Sequence, residues 1–392
     1  MGSKGMKSIP YGHQCIDKDD IQAVLEVLRS DFLTQGPKVR EFEEALAEYC
    51  GAKYAVSFSS GTAALHGAYF AADIGDDDEV ITSPITFLAT ANAALFLGSR
   101  PVFVDIEPDT GNIDAELVEL VITSKTKAIV PVHFAGHPAE LERIAEVARE
   151  HNLLVIEDAC HALGAKYQGT IIGDCKYSDM TVFSFHPVKS ITTGEGGAVL
   201  TNNKEYYEKL VMFGHHGITK DKSVFVNKGE DASQCQWYYE MQHLGYNYRL
   251  TDIQCALGIS QLKKLDTFVL KRRQIVDAYS RAFKGNPFFD LPVERSGVES
   301  AWHLYAIRLK DAYKHMKPKI FGGLRLRQIG VQVHYIPVHF QPYYQQLGYS
   351  RDLCPNAKDF YERQISIPIY PTMSDEDVGY VISSLLDMFK HN

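Results

Sequence analysis

Leu153-Leu154-Val155-Ile156-Glu157-Asp158-Ala159-Cys160-His161-Ala162 and, further along, Phe183-Ser184-Phe185-His186-Pro187-Val188-Lys189-Ser190-Ile191-Thr192-Thr193-Gly194-Glu195-Gly196-Gly197-Ala198 are the stretches from which this chain is best read. Each opens as an apolar run of strand length and passes into a polar loop. A carboxylate, Asp158, closes the first strand, and a lysine, Lys189, stands in the small, polar loop after the second.

The same apolar runs recur on either side. Segments 54–58, 79–83, 101–105, 128–133, 153–158, 180–185 and 197–201 give seven candidate strands. Helix-like segments at 62–72, 87–97 and 138–151 separate most of them, which predicts a mostly parallel sheet with helices on both faces. Between Phe185 and Gly197 there is little room for a crossover helix, because a parallel return takes about a dozen residues or more. One antiparallel strand is expected there. Amphipathic helices at 18–29 and 38–50 precede the sheet, and 252–286 reads as one long helical stretch leaving it. The rest mixes strand-like runs at 302–309 and 331–335 with a terminal helix at 374–388. The expected fold is α/β, with a large domain over residues 9–251 and a smaller C-terminal α/β domain over 252–392.

Composition narrows the function classes. Lysine and arginine number 40 against 49 aspartates and glutamates, a formal charge of -9. Such a chain has no general attraction to nucleic acid or anionic membranes, so an anionic substrate must be caught by a local site. Seven cysteines, scattered from Cys15 to Cys354 without metal-ligand spacing, read as reduced thiols and imply the cytoplasm. Residues 1–8 have no apolar core and no apolar run approaches about 18 residues, so neither a signal peptide nor a membrane span is expected. No metal is expected either. His133 and His137 straddle a strand end and a turn rather than one helical face, and His215-His216 has no carboxylate or thiol at a recognised spacing.

Asp158 and Lys189 are what pyridoxal phosphate requires. That cofactor draws a carbanion's electrons into its ring while its pyridine nitrogen stays protonated, which a fixed aspartate ensures. Its aldehyde is held by a lysine that a substrate amine displaces and that then acts as base. A free lysine is neutral only about once in 2,500 molecules at pH 7, so the site must disfavour its ammonium form. Taken singly, each residue has a plainer reading. A strand-end aspartate is more often a cap or turn residue, and a lysine before Ser-Ile-Thr-Thr is usually solvated.

Taken together, segments 157–162, 183–189 and 194–198 resemble the DegT/DnrJ/EryC1/StrS sugar aminotransferases, which have the fold-type I pyridoxal-phosphate architecture. The resemblance runs from Ile9 to about Met388. It implies Lys189 as the catalytic, Schiff-base residue and Asp158 as the partner of the pyridine nitrogen. Ser59-Ser60-Gly61-Thr62 follows the first candidate strand and opens a helix whose free amides and dipole suit a phosphate; a simple serine cap explains the local pattern equally well. The resemblance implies that Gly61, Thr62 and Ser184 seat the cofactor phosphate, that Phe87 stacks on the ring and that His161 bonds its phenolic oxygen. Without it, Phe87 would be ordinary core and His161 a structural loop histidine. Gly245-Tyr246-Asn247-Tyr248-Arg249 is similar to the family's Gly-x-Asn-x-Arg motif, whose asparagine reaches the partner's cofactor phosphate. Asn247 therefore implies a homodimer with shared sites. Arg249 either anchors substrate or braces its loop, and His216 and His334 are further candidates for touching substrate.

Three further stretches, 9–17, 33–37 and 331–337 with Tyr343-Tyr344-Gln345-Gln346-Leu347 after it, resemble the family's pseudaminic-acid branch. This implies L-glutamate as amino donor and C4 of UDP-2-acetamido-2,6-dideoxy-β-L-arabino-hexos-4-ulose as acceptor, giving UDP-4-amino-4,6-dideoxy-N-acetyl-β-L-altrosamine. UDP-4-keto-6-deoxy-GlcNAc and dTDP-4-keto hexoses stay open as alternatives, because residue chemistry alone does not separate a 4-keto hexose from its epimer. A nicotinamide dehydrogenase would need Gly-x-Gly-x-x-Gly; after Gly194 and Gly196, Val199 stands where the third glycine belongs. A dehydratase of the same family would carry histidine in place of Lys189. A non-catalytic relative would be expected to lose Lys189 or Asp158.

Overall fold

The computed structural model describes residues 8–229 and 235–390, so residues 1–7, where no leader is expected, lie outside the described residues. Strands β1 (Tyr54–Phe58), β2 (Glu79–Thr82), β3 (Arg100–Phe103), β4 (Thr126–Val130), β5 (Leu154–Asp158), β6 (Met180–Ser184) and β7 (Gly197–Thr201) form one sheet in the order β1-β7-β6-β5-β4-β2-β3. From β6 to β3 every neighbouring pair is parallel. Strand β7 runs antiparallel to both β6 and β1, as the short connection before it requires.

Helices α1 (Lys18–Leu28), α2 (Pro37–Cys50), α3 (Gly61–Ala71), α4 (Leu88–Phe96), α5 (Leu141–His151) and α6 (Lys204–Gly214) surround the sheet. Side-chain alternation along the strands sorts their contacts. Val56, Val80, Ile156, Val182 and Val199 pack with residues of α3, α4 and α6. Ala55, Phe183, Ala198 and Leu200 pack with Phe42 and Leu46 of α2, and Ile81, Ile129 and Val155 pack with Ile144 and Val147 of α5. Covered faces on both sides account for the uninterrupted apolar strands. Local signals set element ends: Pro37 opens α2 and Gly51, at φ 82°, closes it.

The 252–286 stretch is two helices rather than one, α7 (Asp252–Leu262) and α8 (Leu265–Phe283). At the junction Lys264 N–H bonds the Gln261 carbonyl at 3.0 Å, while the Lys264 ammonium pairs with Asp17 and, at 2.8 Å, with buried Asp20. The break lets the two halves serve different cores. Cys255 and Leu262 of α7 enter the core beside the sheet, whereas Ile275, Tyr279 and Phe283 of α8 enter a second one.

That second core joins β8 (Tyr305–Leu309), β9 (Gln364–Ile367) and α9 (Asp375–Asp387) with Ile9 from the N-terminal segment. Strands β8 and β9 pair antiparallel, and Ser374 and Asp377 form a capping box on α9. The expected strand at 331–335 does not form. Gln332 makes a single bridge to Ser366, after which the Gln364 side chain takes the His334 N–H and the chain leaves the sheet. Among the described residues, no helix is long and apolar enough to cross a membrane.

Candidate active site

Alternation along β5 and β6 puts Asp158 on the same face as Ile156, and Ser184 on the same face as Val182. That face is covered by α3 and α4. Both residues stand at the carboxyl ends of parallel neighbours, the edge where α/β sheets hold ligands. A cavity of about 620 Å³ opens there, a size that suits a small organic ligand. Gly61, Thr62, Phe87, Asp158, His161, Ser184, Lys189 and His334 all line it.

The helix start is built as an anion seat. Ser60 caps α3 by accepting the Ala63 N–H at 3.1 Å, so the simple cap is present. It leaves the Gly61 and Thr62 amides without a partner among the described residues, as expected of a first helical turn. A Cβ on Gly61 would stand 2.8 Å from Ser184 Cβ, and one on Gly197 would stand 2.6 Å from Ser60 O and 2.8 Å from Gly61 N. Bare backbone at both positions lets β7, the α3 start and the Ser184 hydroxyl converge.

Asp158 is 5% exposed. Its Oδ2 accepts from the Thr90 hydroxyl at 2.6 Å and its Oδ1 from the Cys160 N–H at 3.2 Å. Each oxygen keeps a lone pair to spare. On the opposite face Glu157 accepts from His133 Nε2 at 2.7 Å, from Thr181 at 3.0 Å and from the Ser178 hydroxyl. His133 Nδ1 accepts the Ala139 N–H at 3.1 Å, so its proton sits on Nε2, toward Glu157. His137 is likewise engaged, its Nδ1 with Pro138 O at 2.8 Å and its Nε2 with the Arg295 N–H at 3.2 Å. The histidine pair weighed for metal is spent on structure. Among the described residues one cluster groups three possible metal ligands, exposed Glu119, Glu150 and His151, none of which lines the cavity.

Burial governs the protonation states. It lowers the Lys189 pKa against the opposing pull of Cys160 and Asp158, favouring the free amine. It raises the Cys160 thiol well above its ordinary value, with Asp158 adding to the effect. Burial, with Lys189 nearby, pushes His161 and His303 well down and His334 to about 3. Tyr335, raised first by burial and then by Asp158, lies with its hydroxyl 3.0 Å from His161 Nε2. Among the described residues, Lys189 is the one lysine or arginine lining the cavity. The neutral imidazoles of His161, His303 and His334 and the neutral phenols of Tyr11, raised by burial, and Tyr335 therefore share the cavity with a single amine.

These residues fit pyridoxal phosphate. The α3 start offers amides for an anion, and Asp158 offers spare lone pairs for a protonated ring nitrogen. His161 Nδ1, buried and without a partner among the described residues, offers hydrogen-bonding capacity beside them.

Three sequence candidates lie outside this wall of the chain. Asn247 is exposed and bridges His215, Arg249 donates to His215 Nδ1 at 2.7 Å, and His216 N–H bonds Tyr246 O at 2.9 Å. Within one chain Arg249 thus braces its loop. Tyr11, Thr90, Cys160, His303 and Tyr335 were not singled out from the sequence, yet four line the cavity and Thr90, which lines it too, holds Asp158. The spacing of Thr86 and Thr90, one helical turn apart with hydroxyls 2.7 Å from each other, was a usable signal. His303 offered none, since no motif or periodicity marks its loop.

A model of the DegT/DnrJ/EryC1/StrS aminotransferase family matches residues 14–386. The UDP-4-amino-4,6-dideoxy-N-acetyl-beta-L-altrosamine transaminase of Campylobacter jejuni is 42% identical over 386 residues, covering 97% of this chain and 98% of that protein. Among solved structures, Helicobacter pylori PseC, an aminotransferase involved in the biosynthesis of pseudoaminic acid, has a TM-score of 0.89 at 40% identity, over 98% of this chain and 99% of its own. The PLP-form of Spr1654 from Streptococcus pneumoniae has a TM-score of 0.90 at 31% identity, over 97% of this chain and 98% of its own.

Proposed function

Because this chain belongs to the DegT/DnrJ/EryC1/StrS aminotransferase family, we propose that it is a pyridoxal-phosphate enzyme moving the amino group of L-glutamate to C4 of UDP-2-acetamido-2,6-dideoxy-β-L-arabino-hexos-4-ulose. The product would be UDP-4-amino-4,6-dideoxy-N-acetyl-β-L-altrosamine. The convergence of Lys189, Asp158 and the Ser60-Gly61-Thr62 helix start on one cavity carries the transaminase reading. The names of relatives about 41–42% identical over nearly the whole chain support the choice of sugar.

When bound, the cofactor supplies an electron sink for a carbanion. Gly61, Thr62 and Ser184 would hold its phosphate, Phe87 its ring face, Asp158 the ring-nitrogen proton and His161 the phenolic oxygen. Lys189 would take the proton from the glutamate α-carbon in the first half-reaction and deliver one to the sugar's C4 in the second. Departure of 2-oxoglutarate before the sugar binds gives ping-pong kinetics. A second copy of the chain would complete the site. Phe96 and Tyr246 are exposed and both lie against the His66 ring, at 5.3 and 5.1 Å, with exposed Leu244 and Asn247 near Tyr246 in sequence, a surface of the kind that dimers cover. A cytoplasmic location goes with nucleotide-sugar and glutamate substrates.

Purified protein supplied with glutamate and either the β-L-arabino ketone or UDP-4-keto-6-deoxy-GlcNAc is expected to aminate the first, with the product identified by mass and NMR. Amination of the second alone would transfer the assignment to the epimer, and failure with both would remove it.

A further inference from the structure

His334 reaches the cavity from the small domain, just past the Gln332 bridge to Ser366. Behind it lies a closed chain of buried hydrogen bonds. Gln364 Oε1 accepts the His334 N–H at 2.9 Å, which fixes the amide's orientation and turns its NH2 toward Ser366 Oγ, 2.6 Å away. Ser366 Oγ in turn lies 2.9 Å from His334 Nδ1. Gln364 is 0% and Ser366 1% exposed, so neither has water as an alternative partner.

This arrangement has one consistent proton assignment. The Ser366 oxygen already accepts from Gln364, and the acceptor within reach of its own hydrogen is His334 Nδ1. A neutral imidazole carries a single N–H, and burial keeps this ring neutral by pushing its pKa down to about 3. With Nδ1 accepting, the proton stands on Nε2. That atom has no partner among the described residues, on a ring that lines the cavity.

Building on the function proposed above, we propose that Gln364 and Ser366 are positioning residues that lock His334 as an Nε2–H donor, and that this donor selects the keto-sugar by bonding one of its oxygens. Asp158 and Ser184, at the ends of β5 and β6, serve the cofactor end together with His161, which follows β5. Glutamate carboxylates are best met by cations, whereas the carbonyl and hydroxyl oxygens of an uncharged sugar suit a neutral N–H. A buried donor of fixed direction discriminates well, because a sugar with no oxygen at that point leaves it unpaired.

Because the two half-reactions can be run separately, the test can tell sugar selection from general damage. Ser366→Ala is expected to raise the keto-sugar KM about tenfold, with the glutamate half-reaction within about twofold of the unaltered enzyme. Ser366→Thr, which keeps the hydroxyl, is expected to stay near the unaltered enzyme in both. Nitrogen-15 NMR of the unaltered holoenzyme, with the His334 signals assigned from His334→Gln, is expected to show the proton on Nε2. A proton on Nδ1 would overturn the lock even if Ser366→Ala folded poorly. Equal slowing of both half-reactions in Ser366→Ala, or no change in either, would overturn the sugar-selecting role. Failure of the unaltered enzyme with every keto-sugar would count against the proposed substrate class, while the NMR result would still decide the lock.

Discussion

The two walls of the cavity hold their side chains by different means. On the wall at the sheet's edge, Asp158, Ser184, Gly61 and Thr62 stand at strand ends and at a helix start, so sheet register and alternation aim them. On the wall beside the second core, His303 and His334 come from irregular segments, and buried polar groups hold them. Arg272, 1% exposed and without a carboxylate partner among the described residues, donates through Nη1 to the Ile369, His303 and Trp302 carbonyls at 2.9, 3.3 and 3.4 Å. Burial lowers its pKa to about 10. On the function proposed above, this is a division of labour: strand ends and a helix start fix the groups that would hold the cofactor around Lys189, and a hydrogen-bonded rim shapes what reaches them.

The strongest break of that comparison is Lys189→Ala. Turnover is expected to fall about 10³-fold or more, since on the proposed function both covalent holding and proton transfer would be lost. The visible absorbance of the lysine-bound cofactor should vanish with it, while thermal unfolding stays near the unaltered value. A replacement in the wall beside the second core that matched this loss in kcat would erase the division.

Gly197→Ala strikes the same wall without touching a reacting group. Its new Cβ would meet backbone, Ser60 O at 2.6 Å and Gly61 N at 2.8 Å, rather than the movable end of a side chain. Overpacking of this kind costs about 1–3 kcal/mol, and here it would displace the anion seat. Cofactor titration should show weakened binding, with the sugar KM of the fully loaded enzyme little changed. Unaltered cofactor affinity would separate the seat from the packing beneath it.

The wall at the sheet's edge was legible in the sequence because its causes are local. The apolar run closing at Asp158, the loop placing Lys189 five residues after Ser184 and the Ser60-Gly61-Thr62 helix start each sit within a few residues of their effect. The wall beside the second core depends on distant partners. Trp302, at φ 49°, and His303 are held by Arg272 and by close approach to Gly136, where a Cβ would stand 3.0 Å from His303 N. His334 was reached through family resemblance, but its hydrogen-bonded backing was not. The two misread elements share this cause. The break between α7 and α8 depends on Lys264 meeting Asp17 and Asp20 from the far end of the chain, and 331–335 alternates like a strand yet is diverted when Gln364 captures His334.

Arg272→Met tests the wall beside the second core in isolation. Loss of a buried, unpaired charge favours the variant, but three carbonyls lose a donor, each worth about 1–3 kcal/mol if left bare. A net loss of about 1–3 kcal/mol is expected in denaturant unfolding. The sugar KM should rise several-fold as His303 loosens, with cofactor affinity unchanged. Equal weakening of cofactor binding would mean that the two walls are mechanically one.

The smallest effect is absent at neutral pH. His66, on α3, lies among Phe96, Phe213 and Tyr246 with ring centroids 4.9–5.3 Å away, and burial lowers its pKa from 6.5 to about 4; His334 is lowered to about 3. An unfolded chain protonates both histidines as pH falls below 6.5, while the folded chain does so only near 4 and 3. The unfolded state therefore binds more protons in that window, and stability falls as pH falls through it. The melting temperature of His66→Phe should run parallel to that of the unaltered chain above pH 6.5 and decline less steeply from there to about pH 4. His334→Gln should extend the gentler slope toward pH 3. One histidine lies under the regular wall and the other in the polar rim, so equal relief from both would show that burial alone sets acid sensitivity, whatever holds the side chain in place.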